Sequence, residues 1–304
     1  MIPQAWMPGR RFVISLPYLW LTLFFALPFL ILFYISFVDI GEDLAPFKPL
    51  WDAQGVLHLK YENYWSIFKS PGGGVLFDTL YVEAYGRSIA YAFVTAFLCL
   101  LIGYPFAYFL ARSPERYRPA LLLLVMLPFW TSFLLRIYAW KGLLSDFGII
   151  NQTMMALGLI DEPIYMLYTD ISMLVGMTYV YLPFMVLPLY ANLVKLDVRL
   201  LEAAYDLGAS PSRAFWLVTV PLSRRGIAAG CVLVFVPAVG EFVIPSLLGG
   251  PENIMIGRVV WDEMFSSNNW PRATALAVIM IAVIVLPLAL FSKLAPSTQD
   301  SVRP

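Results

Sequence analysis

The sequence predicts an all-α, polytopic membrane protein with six transmembrane helices and a polar helical hairpin on the cytoplasmic side between the fourth and fifth. Three observations predict it. Of the 304 residues, 60% are hydrophobic and 13% charged, with a mean hydropathy of +0.75, whereas soluble domains carry roughly a quarter charged residues. Six stretches are apolar for long enough to cross about 30 Å of hydrocarbon, which takes roughly 20 helical residues. The formal net charge is zero, yet lysine and arginine are distributed unevenly from loop to loop, as the positive-inside rule expects of a chain that weaves through a bilayer.

The first segment, 12–38, follows Arg10 and Arg11. It is longer than a signal-peptide core and has no small-residue cleavage site after it, so a retained membrane helix is expected. Residues 39–83 form a long acidic loop carrying Asp39, Glu42, Asp43, Asp52, Glu62, Asp78 and Glu83. Trp51, Tyr61, Tyr64, Trp65 and a Pro-Gly-Gly-Gly turn at 71–74 predict an ordered, interfacial periplasmic loop. The second segment is 84–111. The third, 119–144, is broken at Leu127-Pro128 and carries Arg136; the fourth, 171–194, contains Pro183 and Pro188; the fifth, 225–247, contains Pro237 and Pro245; the sixth is 272–294. Prolines in membrane helices mark kinks whose freed carbonyls need neighbours or a cavity. Gly226 and Gly230 are spaced for a close helix contact.

A cytoplasmic N-terminus (1–11) puts Arg10, Arg11, Arg112, Arg116, Arg118, Lys195, Arg199, Arg213, Arg224, Arg225, Lys293 and Arg303 on one side. The acids there are Glu115, Asp197, Glu202, Asp206 and Asp300. Both termini, including the tail 295–304, and the loop 195–224 are then cytoplasmic. Residues 1–304 read as one membrane domain.

That loop contains the hairpin. Asp197 is placed to cap a first helix whose Val198, Leu201, Ala204 and Tyr205 share a face. Gly208 suits the left-handed residue that ends it, and Ser210-Pro211 supplies an N-cap and a first-turn proline for a second helix. Ala203, Ala204, Gly208 and Ala209 leave little bulk, which favours close approach of another protein over lying on lipid headgroups, where larger apolar and more basic residues are wanted.

Glu202-Ala203-Ala204, then Gly208 after three residues, then Val218 and Val220-Pro221, resembles the cytoplasmic signature loop of binding-protein-dependent ABC import permeases, with valine where that family has isoleucine and leucine. Leu127-Pro128-Phe129-Trp130-Thr131-Ser132 through Trp140, and Gly240-Glu241-Phe242-Val243-Ile244-Pro245 closing with Leu248-Gly249-Gly250, are similar to the spermidine/putrescine members. The resemblance implies a bacterial inner-membrane permease subunit in a polyamine importer, paired with a second, homologous permease, an ATPase subunit dimer and a periplasmic substrate-binding protein. It implies that the hairpin is a coupling helix docked on the ATPase through Glu202, Ala203, Ala204, Gly208, Arg213 and Pro221. ATP and Mg would be bound by the ATPase. Permeases for sulfate, iron or other organic cations share the signature loop.

The residues agree on chemistry. No phosphate-binding G-x-x-x-x-G-K-[ST] loop occurs, and no acid–base or nucleophile set is concentrated anywhere, so a non-catalytic chain is expected. Cys99 and Cys231 lie in apolar stretches as small buried hydrophobes, His58 sits alone in a loop, and no metal site or nucleic-acid partner is expected. A secondary transporter would show inverted repeats and several intramembrane ionisable groups. Here Glu241 is the one clear intramembrane acid, expensive unless paired or lining a wet cavity. Two readings stay open for it: an ion pair with Arg136, or contact with a cationic substrate alongside Trp130, Tyr138, Trp140, Tyr179 and Tyr181.

Overall fold

The computed structural model describes residues 10–41, 46–51, 55–68 and 79–294. Among them the chain is helical, with two isolated β-bridges in the first loop. It divides into two compact units, Met1–Val82 with Val259–Pro304, and Glu83–Arg258.

In the first unit, α1 (Ile14–Ile35) is apolar throughout and almost entirely exposed, the pattern of a helix whose solvent is lipid. It relaxes into a π-helical turn at Thr22–Ala26. Pro28 explains the position. Its ring would strike the carbonyl four residues earlier, at Phe24, and the wider turn absorbs the conflict.

Ile35, Val38 and Leu50 form a small core packed by Phe37, Phe47 and Trp270. Asn63 donates to the Ser36 and Val38 carbonyls at 2.9 and 2.8 Å, and the Ser36 and Tyr64 hydroxyls are bonded at 2.7 Å. Lys60 pairs with Asp39. The bridges Ile40–Phe47 and Trp51–Leu57 and a helical turn, α2 (Glu62–Trp65), complete an ordered loop over its described part. The Pro-Gly-Gly-Gly turn lies outside the described residues. At the other end of this unit, α12 (Trp270–Leu294) packs on the second half of α1 and on α2. Beside it, Glu263 accepts from Tyr81 at 2.6 Å and pairs with Arg272 at 3.9 Å.

The second unit takes in most of α3 (Thr79–Arg112), then α4 (Arg118–Met126), α5 (Phe133–Leu144), α6 (Ile149–Ala156), α7 (Asp170–Leu193), α8 (Arg199–Asp206), α9 (Pro211–Val239) and α10 (Val243–Leu248); α11 (Ile256–Trp261) begins where it ends. At its centre α7 and α9 run antiparallel, and glycine sets their separation. A Cβ on Gly226 would lie 2.7 Å from Asn192 Cβ, and one on Gly230 would lie 2.6 Å from Met185 Sδ. The small-residue spacing read from the sequence is thus a close helix contact.

Two predicted spans are interrupted. The third is a bent pair: Arg118–Trp130 and Phe133–Ala156 meet at 88°. Pro128 withholds an amide, Leu127–Trp130 tightens to a 3₁₀ turn, and Thr131 and Ser132 adopt extended backbone before α5 begins. The fifth does not run over 225–247. Its helix begins at Pro211, ends at Val239, and the chain turns at Gly240–Glu241 before α10. By length and composition four helices (Ile14–Ile35, Leu80–Arg112, Asp170–Leu193, Pro211–Val239) qualify as spans, the bent pair adds a fifth, and Trp270–Leu286 is a shorter apolar helix.

Candidate functional site

Two places hold most of the polar residues singled out from the sequence: the hairpin α8–α9 and the corner at Glu241. In the hairpin, the Asp197 carboxylate accepts the amide of Arg199, the first residue of α8, at 3.0 Å, although the N-cap position itself falls on Val198. The helix lays one side chain, Leu201, into the unit and leaves Glu202 and Ala203 exposed. Gly208 ends it at φ +81°, a left-handed conformation that costs an L-residue with a side chain roughly 1–2 kcal/mol. Its amide and that of Ala209 bond back to Tyr205 and Ala204 at 2.9 Å. Ser210 then accepts the Arg213 amide at 3.4 Å, with Pro211 in the first turn. The turn is therefore fully specified by its own backbone and caps.

From Pro211 the second arm continues into the span as one helix to Val239, through a π turn at Phe215–Thr219. Pro221 repeats the arrangement of Pro28: its ring faces the Leu217 carbonyl inside that turn. Arg213 and Pro221 are both exposed.

Leu207 is the hairpin residue that the sequence reading passed over. It is 89% exposed, between Asp206 and Gly208, with Tyr205 beside it 44% exposed. The signal was available: a leucine in a turn of this kind, off the buried face marked by Leu201, has nowhere within its own chain to go.

The second place is built along α7. The chain from Gly226 to Leu248 descends this helix in register. Gly226 meets Asn192 and Gly230 meets Met185; Glu241 meets Tyr181; and Ile244 and Leu248 pack over Gly176. The Ser172 hydroxyl reaches the Leu248 carbonyl at 2.6 Å. Glu241 sits where α9 stops, with 9% exposure. Its Oε2 accepts the Tyr181 hydroxyl at 2.5 Å. Its Oε1 accepts the amides of Phe242, Val243 and Ile244 at 3.1, 3.0 and 3.4 Å. Those amides open α10 and have no partner within the helix, so the carboxyl is the cap of α10 in the way a side-chain oxygen caps any helix start. Gly257 covers the corner: a Cβ there would lie 2.4 Å from the Gly240 carbonyl oxygen.

The expected alternative partner, Arg136, is not among the groups bonded to the Glu241 carboxyl. Its guanidinium stacks on Phe129 and Phe133 at 5.5 and 5.9 Å, one ring from each arm of the bent pair, and its Nε is buried without a hydrogen-bond partner. The aromatic candidates separate likewise. Tyr181 is bonded to Glu241, Trp140 meets Tyr179 edge-on at 5.5 Å, and Trp130 and Tyr138 are 76% and 55% exposed. The loop after α10 is tied back to α3: Ser88 accepts the Ile256 amide at 2.7 Å, Tyr91 lies 3.0 Å from both Asn253 and Asp170, and Arg87 donates to the Glu252 carbonyl.

Comparison with known proteins follows this geometry. Residues 103–299 match the family described as binding-protein-dependent transport system inner membrane component. The chain is 39% identical over 272 residues to the spermidine/putrescine transport system permease protein PotB of Salmonella typhimurium (strain SL1344), covering 90% of this chain and 88% of that one. It is 37% identical over 278 residues to the protein of the same name from Haemophilus influenzae, covering 91% of each. Among solved structures, a chain of a bacterial ABC transporter that imports the acidic polysaccharide alginate superimposes with a TM-score of 0.61 at 18% identity, over 93% of this chain and 95% of that one.

Proposed function

Because the chain belongs to the family of binding-protein-dependent transport system inner membrane components, we propose that it is one of two permease subunits of an ATP-driven importer of polyamines such as putrescine and spermidine. The substrate class rests on the relatives named spermidine/putrescine permeases, which align along nearly the whole chain. The other permease, a dimeric ATPase that binds ATP and Mg, and a periplasmic binding protein complete the assembly. The hairpin and both termini face the cytoplasm, as the arginine and lysine distribution supports.

One observation carries the mechanism: the second arm of the hairpin and the span are one piece of helix. A load applied at Pro211–Arg213 enters the rest of Pro211–Val239 without a loop to absorb it and ends at Glu241, the joint between α9 and α10. Leu207 and Tyr205 supply apolar contact to the ATPase, Glu202 and Arg213 its polar rim, and Gly208 the shape of the turn. Glu241 serves the joint. Of the pathway candidates, Trp130 and Tyr138 keep open ring faces for a substrate ammonium, whereas Tyr179 has an edge committed to Trp140.

The test is uptake of labelled putrescine and spermidine in cells lacking this chain, with and without its re-expression. Restored uptake that stops on ATP depletion is expected. No restoration, with the protein present in the membrane, removes the polyamine assignment and leaves the family standing.

A further inference from the structure

Where α3 ends and α4 begins, the second unit has a mostly apolar cleft of about 440 Å³, lined by Phe109, Pro114, Tyr117, Ala120 and Leu121 together with Arg112 and Ser113. The volume falls within the roughly 300–1,000 Å³ of small-ligand sites. The turn that forms it carries three arginines, and they are not equivalent. Arg118 is spent on the turn, donating to the Ser113 carbonyl at 2.8 Å and facing Glu115 at 3.8 Å. Arg112 and Arg116 rest on the rings of Tyr108 and Tyr117 at 5.5 and 5.8 Å, and among the described residues neither is in a salt bridge. Arg112 is the last residue of the span Leu80–Arg112. The cleft therefore lies where hydrocarbon gives way to headgroups, with tyrosines at the level such rings prefer and two unneutralised cations just beyond.

An apolar slot opening under a pair of arginines fits one occupant in charge and polarity together. We propose that this cleft seats an anionic phospholipid, its acyl chain against Phe109, Tyr117, Ala120 and Leu121 and its phosphate on Arg112 and Arg116. Basic pockets between membrane helices on the cytoplasmic side bind anionic headgroups in this way, each arginine strengthening binding roughly five-fold. The site depends on the chain lying in a bilayer with this end at a headgroup surface and is independent of what the protein carries.

The test uses the assembled transporter in mild detergent, titrated with phosphatidylglycerol or phosphatidylcholine and followed by native mass spectrometry. A phosphatidylglycerol adduct is expected to outlast the phosphatidylcholine adduct. The preference should weaken roughly five-fold in Arg112→Gln and further in Arg112→Gln/Arg116→Gln, and Ala120→Trp, which fills the slot, should abolish it. Unchanged gel-filtration position and uptake identify variants that fold. Equal retention of the two lipids, or a preference that survives both substitutions, overturns the proposal. So does a photoreactive residue at position 120 that crosslinks to a protein subunit instead of lipid, because the cleft is then covered by a partner. Loss of polyamine uptake in unmodified protein would bear on the proposed cargo and leave the lipid result as it is.

Discussion

Removing the Glu241 carboxyl separates its two readings. In Glu241→Ala, Tyr181 keeps a buried hydroxyl with no acceptor, at a cost of about 1–3 kcal/mol, and the three amides that open α10 lose their cap, at about 1 kcal/mol. The sum is roughly 2–4 kcal/mol, a large share of any domain's stability. Glu241→Gln keeps an acceptor oxygen for the amides at 3.0–3.4 Å and turns an amide N–H₂ toward Tyr181, whose oxygen can accept it. The loss should stay near 1 kcal/mol. Each variant is assayed for aggregation temperature of the purified complex and for uptake per membrane-inserted molecule. A joint-forming Glu241 gives a glutamine variant close to the parent in both, an alanine variant several degrees less stable, and Tyr181→Phe between them. If Glu241→Gln abolishes cation uptake while its stability is unchanged, the charge and not the acceptor geometry is what matters, and the reasoning from the cap is refuted.

Gly226→Ala should lower stability by about 1–3 kcal/mol, because its Cβ would meet the anchored Asn192 Cβ at 2.7 Å and the Pro188 carbonyl oxygen at 3.2 Å. Gly230→Ala should cost less, since its nearest obstacle is the flexible Met185 Sδ; heating curves that rank the two the other way would contradict the packing argument. Gly208→Ala meets nothing within 4 Å but is strained by its φ of +81°, so transport-coupled ATP hydrolysis should fall and be largely recovered in Gly208→Asn, a residue that tolerates that conformation. Leu207→Ser and Glu202→Arg, both at exposed positions, should uncouple ATP hydrolysis from uptake with no loss of stability; normal uptake in both would remove the docking role. Lys60, bonded to Asp39, holds that carboxyl below its ordinary value of 3.8. A depressed folded-state pKa contributes stability above 3.8 that is lost as pH falls through the lower folded value. Asp39→Asn should therefore remove this small contribution at neutral pH and flatten the acid dependence of unfolding below about pH 4.

Much of this was legible in the chain. Apolar length and loop charge marked the membrane segments because both respond to the bilayer, a partner present for every such sequence. Asp197, Gly208 and Ser210-Pro211 announced the hairpin because caps and left-handed turns are satisfied within four or five residues, and Gly226-x-x-x-Gly230 announced a contact because its spacing alone defines a face. Leu207 was readable and was passed over. The angle of the third segment was not: Pro128 marks a break, and whether it becomes a slight kink or an 88° bend depends on what packs beyond it. The fate of Glu241 was not either. A carboxyl in an apolar stretch signals only that some partner exists, and Tyr181, sixty positions away, becomes that partner because Gly176, Gly226 and Gly230 let two helices close on α7 in one particular register. Gly257 had no signal at all, since the carbonyls it must clear belong to a corner that exists only once the chain has folded. The sequence by itself determined what is settled by solvent and by near neighbours along the chain, and the tertiary structure decided what hangs on long-range register, because register is fixed by the summed packing of whole helices and is written at no single position.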